Sequence, residues 1–205
     1  MAVICLRTHR LAILLSGRGS NFAAIADAVA SGRIPNAEIV AVISDVPEAQ
    51  GLARARQRGL PAVAVDRKQY SGRRAHEDAI RKQVDQAAPD LVCLAGYMRL
   101  LSPEFVSRWQ GRILNIHPAL LPKFPGLDAQ RRALEAGETE SGCTVHFVDE
   151  GTDTGPVILQ RRVPVVPGDT EATLSARILA EEHKAYPEAI ALVLANLEKI
   201  APQLH

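Results

Sequence analysis

Short runs of consecutive apolar residues, mostly leucine or β-branched, mark the first half of the chain at Leu11–Leu15, Ile39–Ile43, Ala62–Val65 and Leu91–Leu94. Each is bounded by turn residues and too short for a buried helix, so each reads as a strand hidden on both faces. Helical patterns lie between them. In the first, Phe22, Ile25, Ala26 and Val29 share one stripe, Ser20 is placed to cap it, and Gly32 follows its end. All-apolar strands joined by helices predict an α/β fold with a largely parallel sheet covered on both sides, Rossmann-like in this half.

Past Pro103 the pattern changes. Arg112–His117 reads as a strand, Ala129–Glu135 as a helix, and Cys143–Val148 and Val157–Val166 as two strands joined by a glycine-rich loop. That last pair is predicted to be antiparallel. A helical segment from Thr170 to Leu197 closes the chain, and Pro187 is expected to break or kink it just after Tyr186. Residues 1–10 read as an extension or a frayed first strand. With no repeat or linker, the expectation is a single domain over residues 1–205.

Composition narrows the function classes. Lys plus Arg number 24 against 23 for Asp plus Glu, and 4% of residues are aromatic. There is no global field to draw the protein onto nucleic acid or an anionic membrane, and few side chains on which bases could stack. Nucleic-acid and membrane partners are therefore disfavoured; small-molecule substrates and a monomer or homodimer are the expectation. Cys5, Cys93 and Cys143, odd in number and set in apolar runs, suit reduced thiols and a cytoplasmic protein. The apolar start is interrupted by Arg7, His9 and Arg10, too soon for a membrane span, and no signal-cleavage pattern follows.

Several segments carry polar chemistry at strand ends. Ser16-Gly17-Arg18-Gly19-Ser20-Asn21 joins a buried strand to a helix, where backbone N–H groups and the helix dipole favour a phosphate. The same glycines would also serve a tight turn. Asn115 and His117, two residues apart on a strand, share one face, and Pro118 to Gly126 fixes an irregular loop beyond them. A satisfied buried Asn–His pair fits the two residues alone. Asp153 sits in the loop Gly151–Pro156, after a strand bearing His146, where an ordinary Asx turn is the simpler use. Met98, Arg99, Leu100 and Leu101 set an apolar wall and a cation past another strand end, suited to a fused-ring ligand with an acidic tail or to a plain connector. Glu182 interrupts the apolar stripe of Leu174, Ile178 and Ala185, as a functional carboxylate or a residue at the stripe's exposed edge.

Taken in order, Ser16–Asn21, Leu94–Arg99, Asn115–Gly126, Val145–Val148 and Asp153–Gln160 resemble the phosphoribosylglycinamide formyltransferases, folate-dependent enzymes of purine synthesis. The likeness runs from about Leu11 to the final helix. It implies the Rossmann-like formyltransferase fold, with an antiparallel C-terminal strand pair, and formyl transfer from 10-formyltetrahydrofolate to the amine of glycinamide ribonucleotide. It implies Asn115, His117 and Asp153 as the catalytic trio, and ribonucleotide contacts at Gly19, Ser20, Asn21 and Glu182. The folate would meet Arg73, Met98, Arg99, Leu100, Leu101 and Asn115. Asn115 would bond the formyl oxygen, and His117 would stabilise the oxyanion, with Asp153 orienting it and favouring its charged form. No metal is implied. Where the family often has Ser after His-Pro, this chain has Ala119.

The same resemblance touches methionyl-tRNA formyltransferases and formyltetrahydrofolate deformylases, which carry an additional C-terminal or N-terminal domain. The chain's length is expected to leave room for neither. Outside that class stand a non-catalytic nucleotide-binding module and a metallohydrolase on His117, His146 and Asp153, the latter without compact ligand spacing.

Overall fold

In β1 (His9–Leu15), side chains alternate between two cores: Leu11, Ile13 and Leu15 pack on one side of the sheet, Ala12 and Leu14 on the other, all fully buried. That two-sided burial explains the unbroken apolar run. The computed structural model describes residues 7–200. In chain order the elements are β1, α1 (Ser20–Ala30), β2 (Ala37–Ser44), α2 (Gln50–Gln57), β3 (Ala62–Ala64), a 3-10 turn (Arg67–Gln69), α3 (Arg73–Ala87), β4 (Leu91–Leu94), α4 (Pro103–Arg108), β5 (Ile113–His117), α5 (Ala129–Glu135), β6 (Glu140–Phe147), β7 (Val157–Pro164) and α6 (Glu171–Ile200). His9 and Arg10, in the stretch read as an extension or a frayed first strand, belong to β1. Cys5 lies outside the described residues.

The seven strands form one sheet in the order β3-β2-β1-β4-β5-β6-β7. The pairs β1–β2, β1–β4, β2–β3 and β4–β5 are parallel, while β5–β6 and β6–β7 are antiparallel. From β1 the chain first builds outward through β2 and β3, then returns to lay β4 on the other side. The reversal opens a crevice beyond the C-terminal ends of β1 and β4, the usual place for a ligand in such sheets. Helices α1, α2 and α6 cover one face and α3 and α4 the other.

Two local expectations give way to packing. Ser20 is the first helical residue of α1 and caps nothing; the N-cap is Gly19, left-handed at φ 70. A Cβ there would stand 2.6 Å from the Cα of Gly51 in α2, so the close approach of the two helices requires glycine. On α1 the buried set is Asn21, Phe22, Ile25, Ala26 and Ala28, with Val29 only partly covered.

Of the two expected outcomes at Pro187, the break does not occur: α6 runs through it. A proline inside a helix costs about 3 kcal/mol. Against this, Leu174, Ile178 and Ile190 are fully buried, each worth roughly 1.5–3 kcal/mol. The Tyr186 hydroxyl also lies 3.0 Å from the carbonyl oxygens of both Leu94 and Leu114, tying the helix to β4 and β5. Tertiary anchoring outweighs the local break. Among the described residues no helix is long and apolar enough to cross a membrane.

Candidate active site

Strand period places Leu114 and Ile116 of β5 in the core beneath α1 and α6, which turns Asn115 and His117 to the opposite face. The antiparallel register sets His146 of β6 directly beside Asn115. Over both folds the loop between β6 and β7, whose Asp153 is left-handed at φ 57. Asp153 Oδ2 lies 3.2 Å from His117 Nδ1 and accepts the Gly126 N–H at 2.8 Å. Its Oδ1 accepts from Asn115 Nδ2 at 3.4 Å and lies 3.5 Å from His146 Nε2. The three residues expected to act together therefore meet at one carboxylate.

The loop beyond β5 is held just as firmly. His117 Nε2 lies 2.8 Å from the Phe124 carbonyl oxygen, so both imidazole nitrogens face oxygen. The buried Thr144 hydroxyl donates to the Ala119 carbonyl at 2.7 Å and accepts the Leu121 N–H at 3.1 Å. Gln160 Nε2 donates to Leu121 O at 2.8 Å and to Thr144 Oγ1 at 2.9 Å. Sequence reasoning gave His146 a place only in the rival metallohydrolase reading, and gave no role to Thr144 or Gln160. Register in the antiparallel pair, which sets His146 opposite Asn115 and Thr144 opposite His117, would have found the first two.

Electrostatics divide the trio. Burial pushes the Asp153 carboxyl up, but His146, the Gly126 N–H and His117 outweigh it and bring it down to about 2. It is a carboxylate throughout the useful pH range. Burial lowers the His117 imidazole below its ordinary value, and Asp153 and the Phe124 carbonyl pull it back up without prevailing. The expected preference for the charged form is thus opposed by desolvation, although a proton placed on the ring finds an oxygen at each nitrogen.

At the start of α1, the first N–H groups have no partner within the helix and point into the crevice end of β1. Gly19 is buried and Ser20 half-buried there. The Asn21 side chain is committed elsewhere: its Nδ2 donates to Glu182 Oε2 at 2.7 Å, while its own Oδ1 is buried with no partner. Glu182 is 6% exposed, which decides against a position at the stripe's exposed edge. Burial raises its pKa and the Asn21 amide partly offsets this.

After β4, Met98 and Leu100 stand 70% and 63% exposed, two large apolar side chains open to solvent within three residues of one turn. Leu101 packs onto the core under α3 and α4, and Arg73 donates to the Leu100 carbonyl at 2.8 Å. Arg73 thus braces this loop from α3. A cavity of about 650 Å³ between α3 and α4 includes Arg73 and Leu101 but none of Asn115, His117 or Asp153, so it lies behind the loop and not at the polar cluster.

Residues 9–190 match the formyl transferase family model. The chain belongs to the formyl transferase family. Within that family it is 47% identical over 180 residues to the phosphoribosylglycinamide formyltransferase of Escherichia coli, covering 88% of this chain and 84% of that protein. It is 48% identical over 199 residues to the trifunctional purine biosynthetic protein adenosine-3 of Drosophila melanogaster, covering 97% of this chain and 15% of that protein. The chain thus spans only a small part of its trifunctional relatives. Among solved structures, glycinamide ribonucleotide transformylase 1 of Symbiobacterium toebii superimposes with a TM-score of 0.88 at 51% identity, over 90% of this chain and 87% of that one. The mixed sheet, parallel through β5 and antiparallel beyond it, is the family's architecture.

Proposed function

We propose that the chain transfers the formyl group of 10-formyltetrahydrofolate to the amine of glycinamide ribonucleotide, in purine synthesis. The observation that carries this reading is the single carboxylate of Asp153 set against His117, Asn115 and the Gly126 N–H. The family relationship supports a folate-type donor, and the names of the relatives support the acceptor.

In the reaction the amine nitrogen attacks the formyl carbon, a C–N bond forms, and the carbonyl oxygen becomes an oxyanion. The new ammonium loses a proton, the bond from carbon to folate N10 breaks, and N10 takes up a proton. Nothing is oxidised or reduced, and the proton count balances without metal or ATP. Asn115 Nδ2 faces Asp153 Oδ1 at 3.4 Å and His146 Nε2 at 3.3 Å, two long contacts of which one gives way as a hydrogen turns to the formyl oxygen. His117, oriented by Asp153, stabilises the oxyanion from the same face, the term that usually dominates such catalysis. Asp153, ionised at all working pH values, helps carry the ammonium proton away through water without keeping it.

The donor rests on Met98, Arg99, Leu100 and Leu101 with Arg73 behind them, and the ribonucleotide phosphate meets the N–H groups at Gly19, Ser20 and Asn21. Glu182, bonded to Asn21 of that loop, also contacts the ribonucleotide. The enzyme is read as a single domain over residues 1–205, monomer or homodimer, working on small molecules in the cytoplasm without nucleic acid. Burial pushes the thiols of Cys93 and Cys143 up to about 12, so both stay protonated and inert in a reducing compartment. The test is the folate absorbance change on mixing protein with both substrates in the presence of a strong chelator. A change requiring both substrates supports the proposal; one equally fast without glycinamide ribonucleotide identifies a deformylase instead.

A further inference from the structure

Asp45, just beyond β2 at the sheet's C-terminal edge, is 4% exposed, and its carboxylate has no part in the transfer scheme. Its Oδ1 accepts the hydroxyl proton of Ser16 at 2.6 Å. Its Oδ2 lies 3.9 Å from Nη1 of Arg99. The Ser16 hydroxyl, its one proton given to Asp45, accepts the Met98 N–H at 3.0 Å. The Ser16 N–H donates to the Gly96 carbonyl, also at 3.0 Å. Ser16, which follows β1 and begins the phosphate loop, therefore grips the turn after β4 at two points.

The consequence lies in what that turn presents. Met98 and Leu100 are exposed, so their contacts with a ligand depend on the backbone frame beneath them. Arg73 fixes that frame at the Leu100 carbonyl from one flank. Ser16 fixes it at the Met98 N–H from the other, and a hydroxyl that donates to a carboxylate is a stronger acceptor for that N–H. Asp45 also draws the Arg99 guanidinium towards the sheet, out of the free rotation an exposed arginine would have.

We infer that Ser16 and Asp45 are a positioning pair for the folate donor, acting through the backbone of Met98 and the side chain of Arg99. This rests on the proposed function, since it takes the turn after β4 as the donor's seat. The pair touches neither the reacting atoms nor the cluster at Asp153, so its loss weakens donor binding and spares the chemical step.

Equilibrium binding of tetrahydrofolate and of glycinamide ribonucleotide, measured separately by calorimetry, tests it. Ser16→Ala and Asp45→Ala should each raise the tetrahydrofolate Kd about five- to twentyfold, the scale of one charge-assisted hydrogen bond. The ribonucleotide Kd and kcat at saturating donor should stay within about twofold. Asp45→Asn keeps an oxygen for the Ser16 hydroxyl but loses the charge that draws Arg99, and should recover part of the loss. Removing both side chains should be no worse than the poorer single change, because the two act as one unit. A folded Ser16→Ala protein with native tetrahydrofolate affinity overturns the inference, as does a ribonucleotide Kd that rises in step. Should Asp45→Ala not fold, Ser16→Ala and Asp45→Asn decide the matter alone. A native protein that binds no tetrahydrofolate overturns the proposed function itself; one that binds it, with Ser16→Ala binding equally well, overturns only the pairing.

Discussion

Oδ2 of Asp153 stands 3.2 Å from Nδ1 of His117 and also takes the Gly126 N–H, so one oxygen orients the imidazole and secures the loop carrying its other partner, Phe124. In Asp153→Asn the amide oxygen can keep that side, but the amide hydrogens then face the Asn115 amide and the charge is gone. Turnover should fall about two to three orders of magnitude, with the Kd values of both substrates nearly unchanged. His117→Ala should lose at least as much, and the double variant scarcely more, because the pair works as a unit. Steady-state kinetics on the three proteins checks this; additive losses would mean that the two residues act separately.

His117 in the empty site should titrate below its ordinary value of 6.5, because burial lowers it more than Asp153 and Phe124 raise it. Removing the carboxylate takes away a raising influence, so Asp153→Asn should move the midpoint lower still. Protein stability follows the same sign. A base with a depressed folded value contributes stability that is full above 6.5 and fades as the pH falls through the folded value. Imidazole NMR resonances followed across pH measure both midpoints, and a midpoint that rises in the variant contradicts the geometry.

Glu182, buried and bonded to Asn21, should govern ribonucleotide affinity and not donor affinity. Glu182→Gln retains the bond to Asn21 yet loses the charge, so the ribonucleotide KM should rise about tenfold or more while unfolding free energy changes little. Glu182→Ala also strands the Asn21 amide, at a cost of about 1–3 kcal/mol. Because burial raises the Glu182 pKa, native ribonucleotide affinity should weaken on acidification above the usual carboxylate range. Calorimetric titration over pH, beside denaturant unfolding, separates binding from stability.

Gly19 and Ser20 lie side by side but should behave very differently. Any side chain at Gly19 meets the backbone of Gly51 and a left-handed φ of 70, a conformation that by itself costs roughly 1–2 kcal/mol. Gly19→Ala should therefore lower stability by more than that figure and disturb both substrates. Ser20→Ala removes a side chain that caps nothing, so stability should hold and only the ribonucleotide KM should rise modestly. Urea unfolding and paired KM values distinguish the two.

The strands were legible because burial on both faces makes Leu11–Leu15 and Leu91–Leu94 apolar throughout, a signal needing no partner. Features set by distant segments were not. The need for glycine at position 19 comes from Gly51 in α2, and α6 continues past Pro187 because Tyr186 and its neighbours are anchored in the sheet. Asn115 and His117 declared themselves through strand period and the loop that follows. The reach of Asp153 to both could not be read from spacing, since a loop fold settles it, and it was the family resemblance that named Asp153. His146 looked like one polar residue on a buried strand until register set it beside Asn115. Ser16, which in the sequence is only the start of a glycine loop, holds the Met98 N–H across a gap that no local pattern bridges.

The destination of the formyl carbon tests the central claim most directly. With donor labelled by carbon-13 at the formyl group, the native protein and glycinamide ribonucleotide should give a new formamide carbon resonance on the ribonucleotide. It should grow one for one with tetrahydrofolate, leave free formate at the background level, and slow about two to three orders of magnitude in Asp153→Asn. Label appearing as formate whether or not the ribonucleotide is present, or reaching the ribonucleotide as fast without the Asp153 carboxylate, would contradict it.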